Sequence, residues 1–527
     1  MKKIFIILAV AALGLISSCK KSEFAASYPD PTKISTTTVE KQFAGFMVAN
    51  QDYVLPNYWN YFVVLRTTIQ HYTQATGWQN VGAQYVPGAA SIGAIWGSYY
   101  NFLAQYRAFQ SVFAAQATAD QTSKRIFMIA ATIYLYDHTE KKVDLHGDIP
   151  FSKAGMLSTN NGNYGDSYAA YDDAAGVYTK MLDDLKAFAD ELNSISVASG
   201  VQVGFNNQDI VNHGSIAMWK KYCNSLRLRM LTRVSGVSTL SARASSEIGS
   251  ILASATTYPI VATNADNVQI TVYNQNTLNS QGFKTGLEDW NGNLAGKKMI
   301  DHMNTNADPR LRAVFEPGTS AVGGVYTGLD PMADAGTQGT LINNGVIAFY
   351  NRSTISRNQF FPGLLMTAAE VQFYIAEYYV NAGNMSSAIT AYNNGIEQSV
   401  KFYYAVRQIS NDNTAPVLTP TSDAEIATYV AKPAVIMTNG LAKAAALNLV
   451  GTQKWLHLNV VEPYENWAEI RRLKLPVLTF LPDNSNTLSL PPSRWVYPTE
   501  ESTYNAANYA KVSAKDKSTT KIFWDVN

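Results

Sequence analysis

Two aromatic segments of the sequence carry the residue types that bind sugars. Trp78-Gln79-Asn80 precedes Tyr85 in a glycine-rich stretch, and Asp289-Trp290-Asn291 lies among glycines and asparagines. An aromatic ring offers a flat apolar face to the C–H side of a pyranose, while amides and carboxylates hydrogen-bond its hydroxyls. We therefore predict as ligand-binding candidates Trp78, Gln79, Asn80, Tyr85, Asp289, Trp290 and Asn291. The alternative is that each tryptophan only packs against the scaffold beneath its loop.

The sequence lacks the residue patterns of common catalytic sites. It contains no H-E-x-x-H motif, no G-x-S-x-G motif and no phosphate-binding loop. The adjacent pairs Asp172-Asp173 and Asp183-Asp184 are poor acid–base dyads, because neighbouring residues point apart on a helix. We interpret Asp144-x-His146-x-Asp148 as a polar turn rather than a metal site. We predict no catalytic residue, no metal and no cofactor.

Composition excludes several classes of protein. The chain has 527 residues, with 41 basic and 40 acidic side chains, 15% charged residues and 46% apolar residues. A balanced charge argues against a nucleic-acid-binding surface, and the apolar content argues against disorder. Two cysteines, Cys19 and Cys223, cannot supply a disulfide scaffold.

The first residues have the features of a lipoprotein signal peptide. Lys2 and Lys3 precede an apolar run, Ile4–Ile16, that is shorter than the ~20 residues needed to span a bilayer. Ile16-Ser17-Ser18-Cys19 resembles the bacterial lipobox, in which the cysteine is diacylated after cleavage. We predict a signal peptide at residues 1–18, lipid attachment at Cys19 and a tether at 19–35. An ordinary secretory signal with an incidental cysteine is the alternative.

Most of the remaining chain has the periodicity of helices, which predicts a mainly α fold. We predict one domain over residues 36–527. Its parts are a helical scaffold at 36–254 and 361–475, an irregular ligand-site region at 255–360 and a loop-rich tail at 476–527. Short strands are predicted at Val268–Val272 and Val346–Phe349, and a loop at Lys141–Asn163.

Two consecutive predicted helices, Met366–Ala382 and Met385–Tyr404, form a recognisable unit. Thr367 and Glu370 have the spacing of a capping box, and Gly383 suits the left-handed turn that ends a helix. This pattern resembles a tetratricopeptide-type hairpin, although the sequence has no strict 34-residue period.

A set of ordered motifs resembles the SusD/RagB family of surface lipoproteins, in particular its SusD-like branch. The blocks that carry the resemblance, beside the lipobox, are Asp144–Phe151, Trp219–Arg229, Asp308–Leu311, Met366–Glu377, Gln453–Trp455, Trp467–Arg472 and Arg494–Pro498. No single block is specific for the family, but the ordered set of blocks along the chain is specific. The resemblance implies structural roles in helix ends and ion pairs for Asn224, Glu370, Glu377, Arg471 and Arg472.

The resemblance also implies a function. Members of this family lie on the outer face of the outer membrane, bind oligosaccharides or in some cases peptides, and deliver them to a SusC-like TonB-dependent transporter. They are not enzymes. We therefore expect a nutrient-binding lipoprotein, held at the membrane by lipid only, with an oligosaccharide ligand and no nucleic-acid partner.

Three alternatives remain open at this stage. The ligand is a peptide, the protein is a surface glycoside hydrolase, or the helical hairpins are a scaffold for a protein partner. A hydrolase requires two inward carboxylates about 5–9 Å apart. The high tyrosine content and low charge favour glycans over peptides.

Overall fold

A computed structural model describes residues 37–50, 54–272, 278–484 and 488–527. The predicted signal peptide, Cys19 and the tether lie outside the described residues. Within the described chain, no helix combines the length and the apolar character that crossing a bilayer requires.

The described chain is mainly α-helical, as predicted. Its helices of eight or more residues are α1 Val39–Val48, α2 Ala89–Ala114, α3 Arg125–His146, α4 Ala174–Ser194, α5 Ser199–Gln208, α6 Ile216–Val234, α7 Ser241–Ala253, α8 Leu278–Glu288, α9 Lys297–Asn306, α10 Ala335–Asn343, α11 Ala368–Asn381, α12 Met385–Gln408, α13 Asp423–Val430, α14 Lys443–Leu458 and α15 Pro463–Leu473. Shorter helical turns are Ile69–Tyr72, Thr118–Ser123, Leu311–Val314, Thr499–Tyr504 and Ala506–Tyr509, and Trp59–Leu65 is a π-helical segment.

The strands are short and pair two by two in antiparallel fashion. They are β1 Ile149–Pro150, β2 Tyr171–Asp172, β3 Val268–Ile270, β4 Phe315–Glu316, β5 Phe349–Tyr350 and β6 Gly363–Met366. Strand β1 pairs with β2, β3 with β6, and β4 with β5.

The α11–α12 hairpin forms as its sequence predicts. Thr367 and Glu370 make the reciprocal hydrogen bonds of a capping box, and Gly383 adopts a φ of +74° in the turn. Gly395 of α12 faces Phe373 of α11, and a Cβ there would lie 2.5 Å from the Phe373 ring. The missing side chain therefore allows the two helices to pack closely.

Buried ion pairs join the helices of the scaffold. Arg229 of α6 binds Glu370 of α11 at 2.8 Å and Asp137 of α3 at 3.2 Å. Arg472 of α15 binds both oxygens of Glu377 of α11 at 2.7 Å. These contacts confirm the predicted structural roles of Glu370, Glu377 and Arg472. Removal of one partner from such a buried pair costs about 3–5 kcal/mol.

Asn224 and Arg471 satisfy backbone carbonyls instead. The Asn224 amide donates to the carbonyl of Pro259 at 3.1 Å. The Arg471 guanidinium lies 3.7 Å from the centre of the Trp467 ring and donates to the carbonyl of Ser493 at 2.9 Å.

The predicted loop at Lys141–Asn163 is wrong in its first part, because α3 continues to His146. The last two turns of α3 contain charged residues, which sequence patterns assign to solvent, yet these residues are buried. The Lys142 ammonium lies 4.4 Å from the centre of the Trp96 ring. The Asp144 carboxylate accepts hydrogen bonds from Tyr178 and Trp524. Asp144 and His146 therefore lie in the buried end of α3 rather than in the predicted polar turn.

Residues 255–360 contain more regular secondary structure than predicted. The strand expected at Val268–Val272 is present as β3, and the strand expected at Val346–Phe349 is displaced to β5. The same region contains α8, α9 and α10, whose asparagine, glycine and threonine content lowers their intrinsic helix propensity. Burial of a few apolar side chains stabilises α9 instead, including Met299, Ile300 and Met303.

Candidate functional site

Trp290 lies on a sharp turn that follows α8, and its side chain is 82% exposed. Trp290 and Asn291 have φ angles of +57° and +58°, in the left-handed region that large side chains disfavour. Glu288 fixes the start of the turn, because it accepts hydrogen bonds from Arg357 at 2.7 Å and Ser356 at 2.6 Å. A strained backbone that presents a tryptophan to solvent is a feature of binding sites.

Three residues of the preceding chain form a surface beside Trp290. The Phe62 ring meets Trp290 edge-on at 6.1 Å, and Tyr58 stacks on Phe62 at 4.9 Å. The Arg66 guanidinium carbon lies 4.0 Å from the centre of the Phe62 ring and 5.5 Å from that of Trp290. We call Tyr58, Phe62, Arg66 and Trp290 the aromatic platform. Tyr58, Phe62 and Arg66 are four positions apart along the π-helical segment Trp59–Leu65 and its two flanking residues, so their side chains share one face.

Glycines allow α8 to lie directly against this segment. A Cβ on Gly282 would lie 2.8 Å from the backbone nitrogen of Tyr58, and one on Gly286 would lie 3.0 Å from the Cβ of Tyr61. A Cβ on Gly292 would lie 2.8 Å from the Cδ of Arg66. The platform therefore depends on three positions without side chains, each of which sets a close approach between the segments.

The Arg66 side chain is largely covered by its aromatic neighbours, with 9% of its surface exposed. Among the described residues, its buried Nε has no hydrogen-bond partner and the guanidinium forms no ion pair. Burial lowers the pKa of Arg66, while the nearby Tyr58 and Asp289 side chains raise it in part. Asp289 and Asn291 are exposed at the edge of the platform.

The Trp78 segment is packed more closely than that of Trp290. The Trp78 ring is half-buried, and its centre lies 5.1 Å from that of the His71 ring, which stacks on Tyr85 at 5.2 Å. Burial lowers the pKa of His71 to about 3, so the imidazole is neutral at physiological pH. Tyr85 is buried, and its hydroxyl donates to the carbonyl of Leu481 at 2.8 Å. Tyr85 therefore presents no surface to a ligand in this conformation.

The two amides next to Trp78 hold the neighbouring loop. The Gln79 side chain donates to the carbonyl of Ala335 at 3.0 Å. The Asn80 amide donates to the carbonyls of Pro331 and Ala333, both at 2.9 Å. These contacts agree with the alternative interpretation of this segment, a loop packed on the scaffold. Ligand contact by Trp78, Gln79 or Asn80 stays a prediction.

The fold brings the two predicted segments side by side. Thr76 pairs with Ala295 in an isolated bridge, and the Gly77 amide donates to the carbonyl of Leu294 at 2.7 Å. Only the Trp290 segment, however, turns its tryptophan to the surface.

Sequence reasoning missed Tyr58, Phe62 and Arg66 as members of the site. The spacing shows only that they lie off the buried face, because Tyr61, Leu65 and Ile69 mark the inward face of the same stretch. The residues one position away, on a neighbouring face, are the ones that carry the platform.

A separate cavity of about 410 Å³ lies among α6, α7, α11, α14 and α15. Its lining mixes small polar residues, such as Thr232 and Ser241, with large apolar ones, such as Leu447 and Trp524. Of the charged residues in its wall, Glu377 and Arg472 are bound to each other, and Lys443 is the third. The described residues contain no group of three or more histidine, cysteine, aspartate or glutamate side chains arranged to hold a metal ion.

Comparison with known proteins identifies the family. The sequence profile of the SusD-like family described as "Starch-binding associating with outer membrane" matches residues 35–498. The match covers most of the chain, and the chain belongs to this family. This confirms the resemblance that the motifs indicate. No curated protein sequence matches the chain significantly.

Solved structures share the fold over nearly the whole chain. One is a chitin-binding protein with 23% identity and a TM-score of 0.72, covering 92% of this chain and 100% of its own. A chitin-binding SusD homolog from Flavobacterium johnsoniae has 22% identity and a TM-score of 0.69, with coverages of 93% and 99%. A SusD homolog from Bacteroides fragilis has 18% identity and a TM-score of 0.72, with coverages of 93% and 100%.

Proposed function

We propose that this protein is a cell-surface lipoprotein that captures oligosaccharides on the aromatic platform and delivers them to a SusC-like TonB-dependent outer-membrane transporter. The observation that carries the proposal is the exposed Trp290 ring, held by a strained turn beside Phe62 and Arg66. A ring in this position gives a sugar an apolar face. Asp289 and Asn291, which flank Trp290 in the chain, and Tyr58, which stacks on Phe62, supply polar groups for its hydroxyls.

The family and the related structures support a carbohydrate ligand. The family is described as starch-binding, and two of the structures that share the fold are those of chitin-binding proteins. The same family description supports location at the outer membrane. Attachment through Cys19 follows from the lipobox pattern and gives the protein a stable membrane anchor once two acyl chains are present.

We propose binding without catalysis. A glycosidase needs one carboxyl group to give a proton and a second carboxylate to act on the opposite side of the bond. Beside the platform, Glu288 is bound by Arg357 and Ser356 and serves to fix the turn. Asp289 is then the exposed carboxylate next to Trp290, because the other carboxylate of the turn Glu288–Asn291, that of Glu288, is held by these contacts.

The experiment that tests this function is a titration of the full chain in detergent against a panel of plant, host and microbial oligosaccharides and mixed peptides. Calorimetry would measure binding, and chromatography of the same samples would detect any product. We expect saturable binding of one glycan class with no product. Product formation would favour the hydrolase, binding of peptides alone would favour a peptide receptor, and no binding at all would favour the scaffold.

Delivery to a transporter is tested separately. Affinity purification of the tagged full chain from outer membranes should recover a large β-barrel protein with a TonB-dependent plug in near-equal amount. Recovery of the chain alone would contradict this part of the proposal.

A further inference from the structure

The Arg66 guanidinium is the unusual group of the aromatic platform. It is a cation with 91% of its surface covered, and no carboxylate among the described residues forms an ion pair with it. Covering an unpaired charge in this way costs free energy, and proteins ordinarily pair such a group or replace it with an apolar residue. The faces of Phe62 and Trp290 attract the guanidinium through cation–π interactions, but they supply no hydrogen-bond acceptor for its Nε.

The surroundings accommodate this arginine in particular. A Cβ on Gly292 would lie 2.7 Å from the carbonyl oxygen of Leu287 and 2.8 Å from the Arg66 Cδ, so the missing side chain lets the turn close and also leaves room for the arginine stem. The guanidinium carbon lies 4.0 Å from the Phe62 ring centre and 5.5 Å from that of Trp290. A ligand sugar stacked on Trp290 would therefore have its substituents within reach of a guanidinium.

Other charged groups nearby are already engaged or lie outward. Glu288 is bound to Arg357 at 2.7 Å, and Glu316 is bound to Arg352 at 2.7 Å. Asp289 is exposed and forms no ion pair with Arg66, although its negative charge partly offsets the lowering of the Arg66 pKa by burial. The guanidinium is thus the positive charge of the aromatic platform that a negatively charged ligand group can pair with.

We infer that the captured oligosaccharide is acidic, and that Arg66 binds a carboxylate of a uronic acid residue while the neighbouring sugar stacks on Trp290. This inference rests on the proposed function and names its substrate class. The planar guanidinium matches the two oxygens of a carboxylate, and such charge-assisted hydrogen bonds are stronger than those to hydroxyls. The formal net charge of the chain is only +1, so a preference for acidic glycans would have to be local.

The test compares each acidic glycan with a matched neutral form. The full chain would be titrated with oligogalacturonides, alginate oligosaccharides and chondroitin oligosaccharides, and with the same compounds after reduction of their carboxyl groups to alcohols. We expect one acidic glycan to bind about tenfold or more tightly than its reduced form, with a preference that weakens as salt is added.

Variants assign the preference to one residue. Arg66→Met keeps the stem and should remove the preference, while Arg66→Lys keeps the charge and should restore part of it. Lys284→Met is the matched control, because Lys284 is an exposed cation on α8 and its loss changes the net charge equally. Thermal unfolding of each variant would show that the fold is retained.

The outcomes separate this inference from the proposed function. Equal binding of the acidic and reduced forms, or an unchanged preference in Arg66→Met, would overturn the inference. Trp290-dependent binding of neutral glycans alone would also overturn it while leaving the proposed function intact. If no glycan binds, or if a glycan binds equally well to Trp290→Ala, both fail.

Discussion

At the scale of single residues, the site depends on one ring and its exposure. Trp290 projects from the surface because the backbone at Trp290 and Asn291 is left-handed, and Glu288 holds that turn through Arg357. The ring contributes little to the stability of the fold, since most of its surface faces water. Its apolar surface is therefore available to a ligand.

Replacement of this ring should weaken ligand binding without unfolding the protein. We expect Trp290→Ala to raise the Kd of the bound glycan roughly thirtyfold, equivalent to about 2 kcal/mol. Trp290→Phe should lose less, because a smaller ring still stacks. Calorimetric titration checks both values. Tyr504→Ala is the control, since Tyr504 is also exposed (71%) but lies in the C-terminal tail, and equal losses in the two alanine variants would contradict the account.

The buried ion pairs predict how stability depends on pH. Burial opposes ionisation of Glu377, but Arg472 and Lys454 lower the pKa of its carboxyl below the ordinary value of 4.5. Because the folded-state pKa is the lower one, this contribution to stability is present above about pH 4.5 and is lost as the pH falls through the folded-state pKa.

Glu377→Gln should therefore lower the free energy of unfolding at pH 7 by about 3–5 kcal/mol and flatten its decrease in acid. Denaturant unfolding at several pH values measures both effects. Asp301→Asn is the control, because Asp301 forms an exposed pair with Lys297 and its loss should change stability by less than about 1 kcal/mol. Parallel pH curves for wild type and Glu377→Gln would be the contradictory result.

At the scale of elements, close approach between helices positions the site. Gly282 and Gly286 bring α8 against the segment Trp59–Leu65, which places Trp290 beside Phe62. These contacts explain why the platform was hard to predict. Its members come from chain segments more than 200 residues apart, and pairing between distant segments leaves no local pattern in the sequence.

A methyl group at this contact should disturb binding. Gly286→Ala would place a Cβ 3.0 Å from that of Tyr61 and 3.1 Å from the Cα of Tyr58, so the segments must separate. We expect weaker glycan binding together with a loss of about 1–3 kcal/mol in stability. Binding and thermal unfolding measure the two effects, and normal affinity in a folded Gly286→Ala protein would show that the contact does not position the platform.

The scaffold offers a pair of helical glycines with opposite expectations. Gly395→Ala would place a Cβ 2.5 Å from Phe373 and should destabilise the protein by about 1–3 kcal/mol. Gly97 lies within α2 with no atom within 4 Å of its added Cβ, so Gly97→Ala should stabilise by about 0.5–1 kcal/mol. Denaturant unfolding should give opposite signs, and a shared sign would contradict the packing described for α11 and α12.

At the scale of the whole molecule, much of the helical scaffold could be predicted from the sequence. The α11–α12 hairpin follows from its capping box, its turn glycine and its periodicity, all of which are local signals. The end of α3 could not be predicted, because Lys142 and Asp144 are stabilised there by Trp96, Tyr178 and Trp524 from elsewhere in the chain.

The candidate site was predicted only in part for the same reason. Trp290 and Trp78 both precede or follow amides in glycine-rich sequence, so composition alone treats them alike. Their difference arises from tertiary packing, since Trp78 contacts His71 whereas the turn at Trp290 points its ring outward. Arg66 and Phe62 became visible as site residues only once α8 was placed beside them.

Membrane attachment is a property of the whole chain, and separate substitutions of its two cysteines can test it. We expect cells supplied with an alkyne analogue of palmitate to label the wild-type protein and Cys223→Ala, because Cys223 is buried in α6. Cys19→Ala should be unlabelled and should leave the membrane fraction. Equal labelling of all three proteins would contradict lipid attachment at Cys19, and protection of the labelled protein from protease on intact cells would contradict exposure at the cell surface.

The central claim is that the aromatic platform holds the ligand. Hydroxyl-radical footprinting of the full chain, read by mass spectrometry with and without the bound oligosaccharide, tests it most directly. The account predicts that the ligand protects Trp290 from oxidation and leaves Tyr504 unchanged. Continued oxidation of Trp290 at saturating ligand, with protection instead of Tyr378 in the wall of the 410 Å³ cavity, would contradict it.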